Sequence, residues 1–309
     1  MATTTIEPAR VDATPQLSAT ESAELEARRR TQTRVRFELL TGMVRKDFKL
    51  KYQGSVLGFI WSLINPLFLF AVYGFVFGIV LGTGIPAFPI YVMSGLLTWN
   101  LFSGSLGSAT MAVVGNAGLV KKVRFPLQVL PLSSIGFALV HYVLQMGVLL
   151  TVVLAARPEG LGLNTLLAIP ALAIGVLFTA ACCYIVSALN VRYRDTAHLV
   201  ELALIAWFWL TPTIYASGLI ANLESKYGFI PHWFYRAYFC DPMAIVVASM
   251  QRAIYGDQRF NGAMQPVLAD AGYAFFAQQL ALAGVVSVLL FLFARRLFRR
   301  MQTDFAEEL

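Results

Sequence analysis

The sequence predicts an all-α integral membrane protein, and three observations predict it. Six long apolar stretches run roughly Leu57–Leu81, Phe88–Val114, Leu127–Ala155, Leu166–Leu189, Leu199–Tyr215 and Phe275–Phe293. A helix needs about 20 mainly apolar residues to cross a bilayer core, and most of these stretches qualify. Apolar residues make up 58% of the chain and charged residues only 13%, against roughly half and a quarter in soluble domains. The Lys and Arg residues fall in clusters between the stretches rather than along them. The +7 balance is therefore no nucleic-acid signal, and its distribution carries the information.

Residues 1–32 are polar, carry Pro8 and Pro15, and lack the apolar core of a secretory signal; they are expected to form a flexible cytoplasmic tail. Residues 33–52 are expected to form an amphipathic helix. Phe37, Leu40, Val44 and Phe48 follow at i+3 or i+4 and share one face, while Arg36, Arg45, Lys46 and Lys49 take the others. Such a helix lies in the interface plane, apolar face toward acyl chains and basic face toward headgroups.

Residues 53–298 hold the six-helix transmembrane domain. The first span is rich in aromatics, with Phe59, Trp61, Phe68, Phe70, Tyr73, Phe75 and Phe77, and Pro66 predicts a kink in its middle. The short basic loop Gly115–Pro126 follows the second span, and Pro126 marks the next helix start. Asn190–Asp195 makes the next such turn, with Asp195 placed to cap the fifth span. The fifth span is short, extending to Leu219 at most. The long connection 216–273 carries the aromatic run Trp233–Phe239, then Asp241-Pro242 as cap and first helical residue, then an apolar stretch Met243–Ile254 too short to cross. Re-entrant or interfacial helices on the outer face are expected there. Residues 299–309 form a cytoplasmic C-terminal tail.

Orientation follows from the basic residues. Nineteen Lys and Arg lie before the first span, in the loops after the second and fourth, and at the C-terminus; five (Arg157, Lys226, Arg236, Arg252 and Arg259) lie on the other side. Both termini are thus expected in the cytoplasm, with 216–273 outside. Cys182, Cys183 and Cys240 form no disulfide framework and read as packing residues.

No Gly-x-x-x-x-Gly-Lys-[Ser/Thr], His-Glu-x-x-His, Cys-x-x-Cys or Gly-x-Ser-x-Gly occurs. Within the spans the ionisable residues that stand out are His141 and Glu201. A proton-coupled carrier or membrane enzyme needs more polar groups near mid-membrane than this. His141 is expected to serve as a helix–helix hydrogen-bonding group. Glu224, His232, Asp241, Asp257 and Asp270 are scattered through the outer connection, which weighs against a glycan-modifying enzyme.

Four blocks carry a family resemblance. Asp47-Phe48-Lys49-Leu50-Lys51-Tyr52-Gln53-Gly54-Ser55-Val56-Leu57-Gly58-Phe59-Ile60-Trp61-Ser62 opens the first span. Gly115–Pro126, Leu189–Asp195 and Trp207–Tyr215 follow in order. Together they resemble type-2 ABC exporter permeases of cell-surface polysaccharides, which move O-antigen, teichoic acid or galactan. The resemblance covers about residues 40–300; one departure is Asp241-Pro242, where the family usually shows Asn-Pro. It implies a homodimeric permease that binds two copies of a separate ABC ATPase, and the missing P-loop fits an engine on another chain. ATP and magnesium would be bound there, and no cofactor is expected in this chain. The cargo would be a lipid-linked polysaccharide crossing the inner membrane through a channel at the dimer centre. That channel is expected from the first and fifth spans, lined by Phe59, Trp61, Tyr73, Trp207, Phe208 and Tyr215, because aromatic faces suit sugar C–H faces without locking onto one hydroxyl pattern. Arg45, Lys46, Lys49 and Lys51 are candidates for the lipid headgroup or pyrophosphate. Asn116, Lys121, Lys122, Arg124 and Phe125 are candidates for the ATPase contact. A drug or small-lipid exporter of the same fold is the main alternative.

Overall fold

The computed structural model describes residues 19–80, 87–122, 125–156, 162–215, 217, 233–256 and 272–309. Among these the regular elements are all helical and no strand occurs. The chain divides into two units, 1–39 and 40–309. The first contains the start of helix α1 (Ala19–Tyr52), which begins well before residue 33, and an Arg34–Glu38 ion pair one turn apart at 2.9 Å.

The second unit holds the helical bundle. Its elements are α2 (Trp61–Tyr73), α3 (Phe88–Ala112), α4 (Ala117–Lys122), α5 (Val129–Ala156), α6 (Ala168–Arg192), α7 (Thr196–Leu210), α8 (Trp233–Tyr238), α9 (Pro242–Tyr255), α10 (Tyr273–Met301) and α11 (Phe305–Glu308). Among the described residues, four segments are long and apolar enough to cross a membrane: Trp61–Val80, Val129–Ala155, Thr165–Arg192 and Ala274–Met301. Helix α2 continues through Pro66, and its departure from α-geometry comes later, as a wider π-helical turn over Gly74–Val80. The protein is thus an all-helical, multi-pass membrane protein.

Helix α3 is the axis of the bundle. Its residues from Ile90 to Thr98 are buried without a break, and it packs against α5, α6, α7 and α9. A buried amide tie holds it to α6, where Asn190 Nδ2 donates to the Thr110 carbonyl at 2.9 Å. The apolar stretch too short to cross forms α9, and every residue from Pro242 to Tyr255 is buried against α3, α6 and α10. Asp241 caps it as the sequence predicts, accepting from the Met243 N–H at 3.1 Å, with Pro242 at the first helical position. Gly256 ends it in the left-handed region (φ 74°) that a residue without Cβ adopts at low cost. Asp195 differs: it sits at the N-cap of α7, but its side chain makes no capping bond.

Two residues on the apolar face of α1 pack on α5. Val44 lies against Gly136, and Phe48 packs on Phe137 and His141 with ring centroids 4.6 and 4.9 Å apart. Both side chains are half-buried against α5, where Gly136 leaves a notch that Val44 fills. The end of the chain is packed as well. Helix α10 runs through Met301, and Phe305 is fully buried edge-on to Phe298.

Helix α7 stops at Leu210, and the backbone beyond it is irregular. Its polar groups are met by side chains. Gln251 Nε2 of α9 donates to the Pro212 carbonyl at 2.8 Å and the Thr213 carbonyl at 3.3 Å. The fully buried Tyr91 hydroxyl donates to the Tyr215 carbonyl at 3.0 Å and accepts from the Ser217 N–H at 3.2 Å. Gly95 allows this approach: a Cβ there would overlap the Gln251 amide and stand 3.1 Å from the Thr213 carbonyl. Gly95→Val is therefore expected to cost about 1–3 kcal/mol by overpacking, read as a lowered melting temperature of the purified protein in detergent. Gly147→Val, where a Cβ would meet nothing within 4 Å, should leave the transition in place.

Candidate functional site

The C-terminal end of α1 brings two sets of sequence-predicted residues together. Lys46 Nζ donates to Asn116 Oδ1 at 2.9 Å, and Asn116 Nδ2 donates in turn to the Ala112 carbonyl at 2.7 Å. A headgroup candidate and an ATPase-contact candidate thus form one chain of hydrogen bonds. Lys51 Nζ lies 5.1 Å from the Phe137 ring centre, within reach of a cation–π contact. Partial burial lowers the Lys51 ammonium from its ordinary pKa, and burial raises the Asp47 carboxyl against the opposing pull of Lys46. Arg45 and Lys49 stay exposed on α1. A cavity of about 350 Å³ is lined by Lys46, Asp47, Lys51, Ser108, Asn116 and Ser134, among others.

The loop Gly115–Pro126 is largely helical: a 3₁₀ turn over Val114–Asn116 leads into α4. Lys121 and Lys122 are exposed at its end, while Phe125 is half-buried against the core cluster that holds Val113, Leu130, Phe298 and Phe305. Arg124 lies outside the described residues. Between α4 and the C-terminal residues Gln302 and Ala306 runs an open cleft of about 600 Å³. The sequence singled out neither residue, because nothing in their spacing shows that α11 folds back beneath α4.

The six aromatics proposed for a channel divide by environment. Phe59 falls in a 3₁₀ turn, Gly58–Ile60, and its side chain lies outside the described residues. Trp61 is 52% exposed. Tyr73 is half-buried beside Phe77, ring centres 6.0 Å apart. Trp207 turns inward: its ring meets Phe102 and Phe178 edge-on, and its indole N–H donates to Asp241 Oδ2 at 2.8 Å. Phe208 packs on Trp99. Tyr215 shares a 2.8 Å hydroxyl pair with Tyr238 and donates to the Trp209 carbonyl at 3.0 Å. The outward aromatic of α7 is Trp209, 64% exposed, in line with Leu199, Leu202 and Ile205. On α2 and the π-helical turn after it the outward ones include Phe68 and Phe75. Sequence reasoning did not separate these three from their neighbours, because the aromatic stretches that hold them are apolar on every side and show no phase. Among the described residues, no group of three His, Cys, Asp or Glu gathers to hold a metal.

His141 serves as a helix–helix bonding group. Its Nδ1 lies 3.0 Å from the Phe137 carbonyl, which can only accept, so Nδ1 carries the proton and Nε2 of the neutral ring accepts from the Tyr52 hydroxyl at 2.8 Å. This bond ties the end of α1 to α5.

Residues 38–255 match the family described as ABC-2 type transporter. The chain belongs to that family. It is a transport component rather than an enzyme, and the family implies an ABC ATPase as partner. The chain is 32% identical over 271 residues to the O-antigen export system permease protein RfbA of Myxococcus xanthus, covering 88% of this chain and 95% of that one. It is 35% identical over 187 residues to an O-antigen export system permease protein RfbA of Klebsiella pneumoniae, covering 60% of this chain and 71% of that one.

The Trp207–Asp241 bond joins α7 of this permease to the start of α9, with a carboxylate as acceptor. Trp207→Phe is expected to destabilise the purified protein by about 1.5–3 kcal/mol, the range for a hydrogen bond to a charged group. Asp241→Asn keeps an acceptor for the indole and should cost less than Asp241→Leu. Thermal unfolding of the three single variants and the Trp207→Phe/Asp241→Leu double variant checks this. Full additivity of the two single effects would show that the bond contributes nothing.

Proposed function

We propose that this chain is the membrane-spanning subunit of an ATP-driven exporter that carries a lipid-linked polysaccharide, of the O-antigen, teichoic acid or galactan type, across a bacterial inner membrane. The observation that carries the cargo class is the near end-to-end match with a permease named for O-antigen export. The proposed spans are six. Helix α3, with 25 residues and no charged side chain, joins the four long apolar segments, and α7 with the irregular backbone after it makes the last. The basic cytoplasmic loops support both termini on the inner side.

The working unit in this reading is two copies of the chain and two copies of the ATPase. Helices α2 and α7 support a dimeric channel, since each leaves an apolar face uncovered by the other described residues; from Trp61 to Val80 the described side chains that are buried are Ser62 and Pro66. Trp61, Phe68, Phe75 and Trp209 on those faces offer flat contact to sugar C–H faces, each contact weak enough to let a polymer slide. Lys121, Lys122 and the cleft beside Gln302 supply the cytoplasmic face for the ATPase, which would bind the ATP and magnesium. Residues 33–52 would rest at the membrane surface, with Arg45 and Lys49 toward headgroups. A drug or small-lipid exporter would need a closed seam instead of an aromatic-lined opening.

Surface glycan in cells relying on this chain for export tests the proposal. Trp61→Ala and Trp209→Ala should each slow export by about fivefold, the worth of one aromatic contact of ~1 kcal/mol, and the double variant should slow it further. Normal surface glycan in cells lacking the chain would sink the cargo assignment. Reversing Lys121, Lys122 and Arg124 together to Glu should uncouple ATP hydrolysis from export, or weaken ATPase assembly, in a variant that still inserts. Wild-type export and wild-type assembly by that variant would remove the docking face.

A further inference from the structure

A second cavity, about 230 Å³, opens next to the one at Lys46 and Asn116. The two share Lys51, Ser108 and Phe137 in their linings, so they meet at one junction. The second runs between α3 and α5, past Asn100, Gly104, His141, Tyr142 and Gln145. Asn100, Gly104 and Ser108 are four residues apart and form one stripe of α3. Ser134, His141 and Gln145 fall on the facing stripe of α5. From Ser134 to Gln145 the groove follows α5 for about 16 Å, half the thickness of a hydrocarbon core.

Polar side chains at that depth are costly, and where they occur they mark a function. Helix α5 carries few other polar side chains, Ser133 and Thr151 among them, and no Asp, Glu, Lys or Arg. The lining of the deeper cavity contains amides, hydroxyls, an imidazole and one cation, Lys51, and no Asp or Glu. The one carboxylate of the groove, Asp47, lines the outer cavity only. Tyr142 is 3% exposed, and its hydroxyl lies close to Thr98. The Thr98 hydroxyl already donates to the Ser94 carbonyl at 2.8 Å. The groove therefore presents a cation at its waist and neutral donors beyond it. Together the two cavities fall in the range of roughly 300–1,000 Å³ that holds small ligands.

We propose that the groove between the end of α1, α3 and α5 binds the phosphate-bearing headgroup of a lipid, with the phosphate on Lys51 and Ser108 and the hydroxylated part of the head on Asn100 and Gln145. Lys51 is suited to this. Its ammonium is a compact point charge at a junction where a phosphate replaces lost water. Tyr52 next to it is fixed by His141, so the backbone that carries Lys51 is held against α5. Two sources share this chemistry, a prenyl phosphate carrying sugars and an ordinary phospholipid. The choice of the first rests on the exporter reading; the site itself does not.

The full-length chain in phosphatidylcholine nanodiscs, probed by thermophoresis with farnesyl diphosphate, phosphatidylglycerol and inorganic pyrophosphate, tests the site. Farnesyl diphosphate is expected to bind saturably. Lys51→Gln should weaken it by about tenfold, as for loss of one charge-assisted contact. Ser108→Trp, which fills the junction, should abolish it. Arg296→Gln removes an equal charge from the exposed face of α10 and should leave affinity within about twofold. Farnesyl diphosphate binding much tighter than phosphatidylglycerol assigns the prenyl source, and equal binding assigns a phospholipid to the same site. Wild-type affinity in both Lys51→Gln and Ser108→Trp, or no saturable binding of any probe, overturns the proposal. Surface glycan in cells reports on the exporter reading alone, so the two ideas fail separately.

Discussion

A backbone carbonyl without a hydrogen-bond partner is costly in a bilayer, and the architecture follows from meeting that demand after Leu210. Helix α7 ends at 15 residues, about 22 Å, short of a full crossing. Its continuation leaves carbonyls at Pro212, Thr213 and Tyr215 outside any helix. Gln251 and Tyr91 satisfy them, and both side chains must reach from elsewhere in the bundle. That requirement explains why α9 is buried along its whole length although it is too short to span. It also explains why Gly95 has no side chain: the amide of Gln251 occupies the space.

The same demand sets how the helices are distributed. Helix α3 touches most of the bundle and carries several polar side chains inward, where Ser94, Thr98, Ser105 and Thr110 each donate to a carbonyl three or four residues earlier in their own helix. Helices α2 and α7 sit at the margins with apolar faces uncovered. A bundle built this way has a fixed centre and edges free to meet lipid or a second copy. At one end of the bundle, the end of α1 with Asn116 lines one cavity and α4 with α11 lines another, and basic residues and packed aromatics border both.

The amino-acid sequence by itself determined the class of the protein. Runs such as Leu127–Ala155 and Leu166–Leu189 exceed the length of a bilayer crossing, and any chain carrying them must bury them in lipid or protein. The cap at Asp241-Pro242, the helix–helix role of His141 and the family blocks around Asp47–Ser62 were legible for the same reason: each is a local signal. Only the tertiary structure decided which faces of those helices are used. In helices apolar all round, no periodicity separates Trp207, turned in to Asp241, from Trp209, turned out. Nor does spacing along the chain reveal that Lys46 meets Asn116, 70 residues away, or that Lys51 stands at the waist of a groove with Asn100 and Gln145. Those pairings depend on how helices pack, and packing is fixed by side-chain shapes at many distant positions at once.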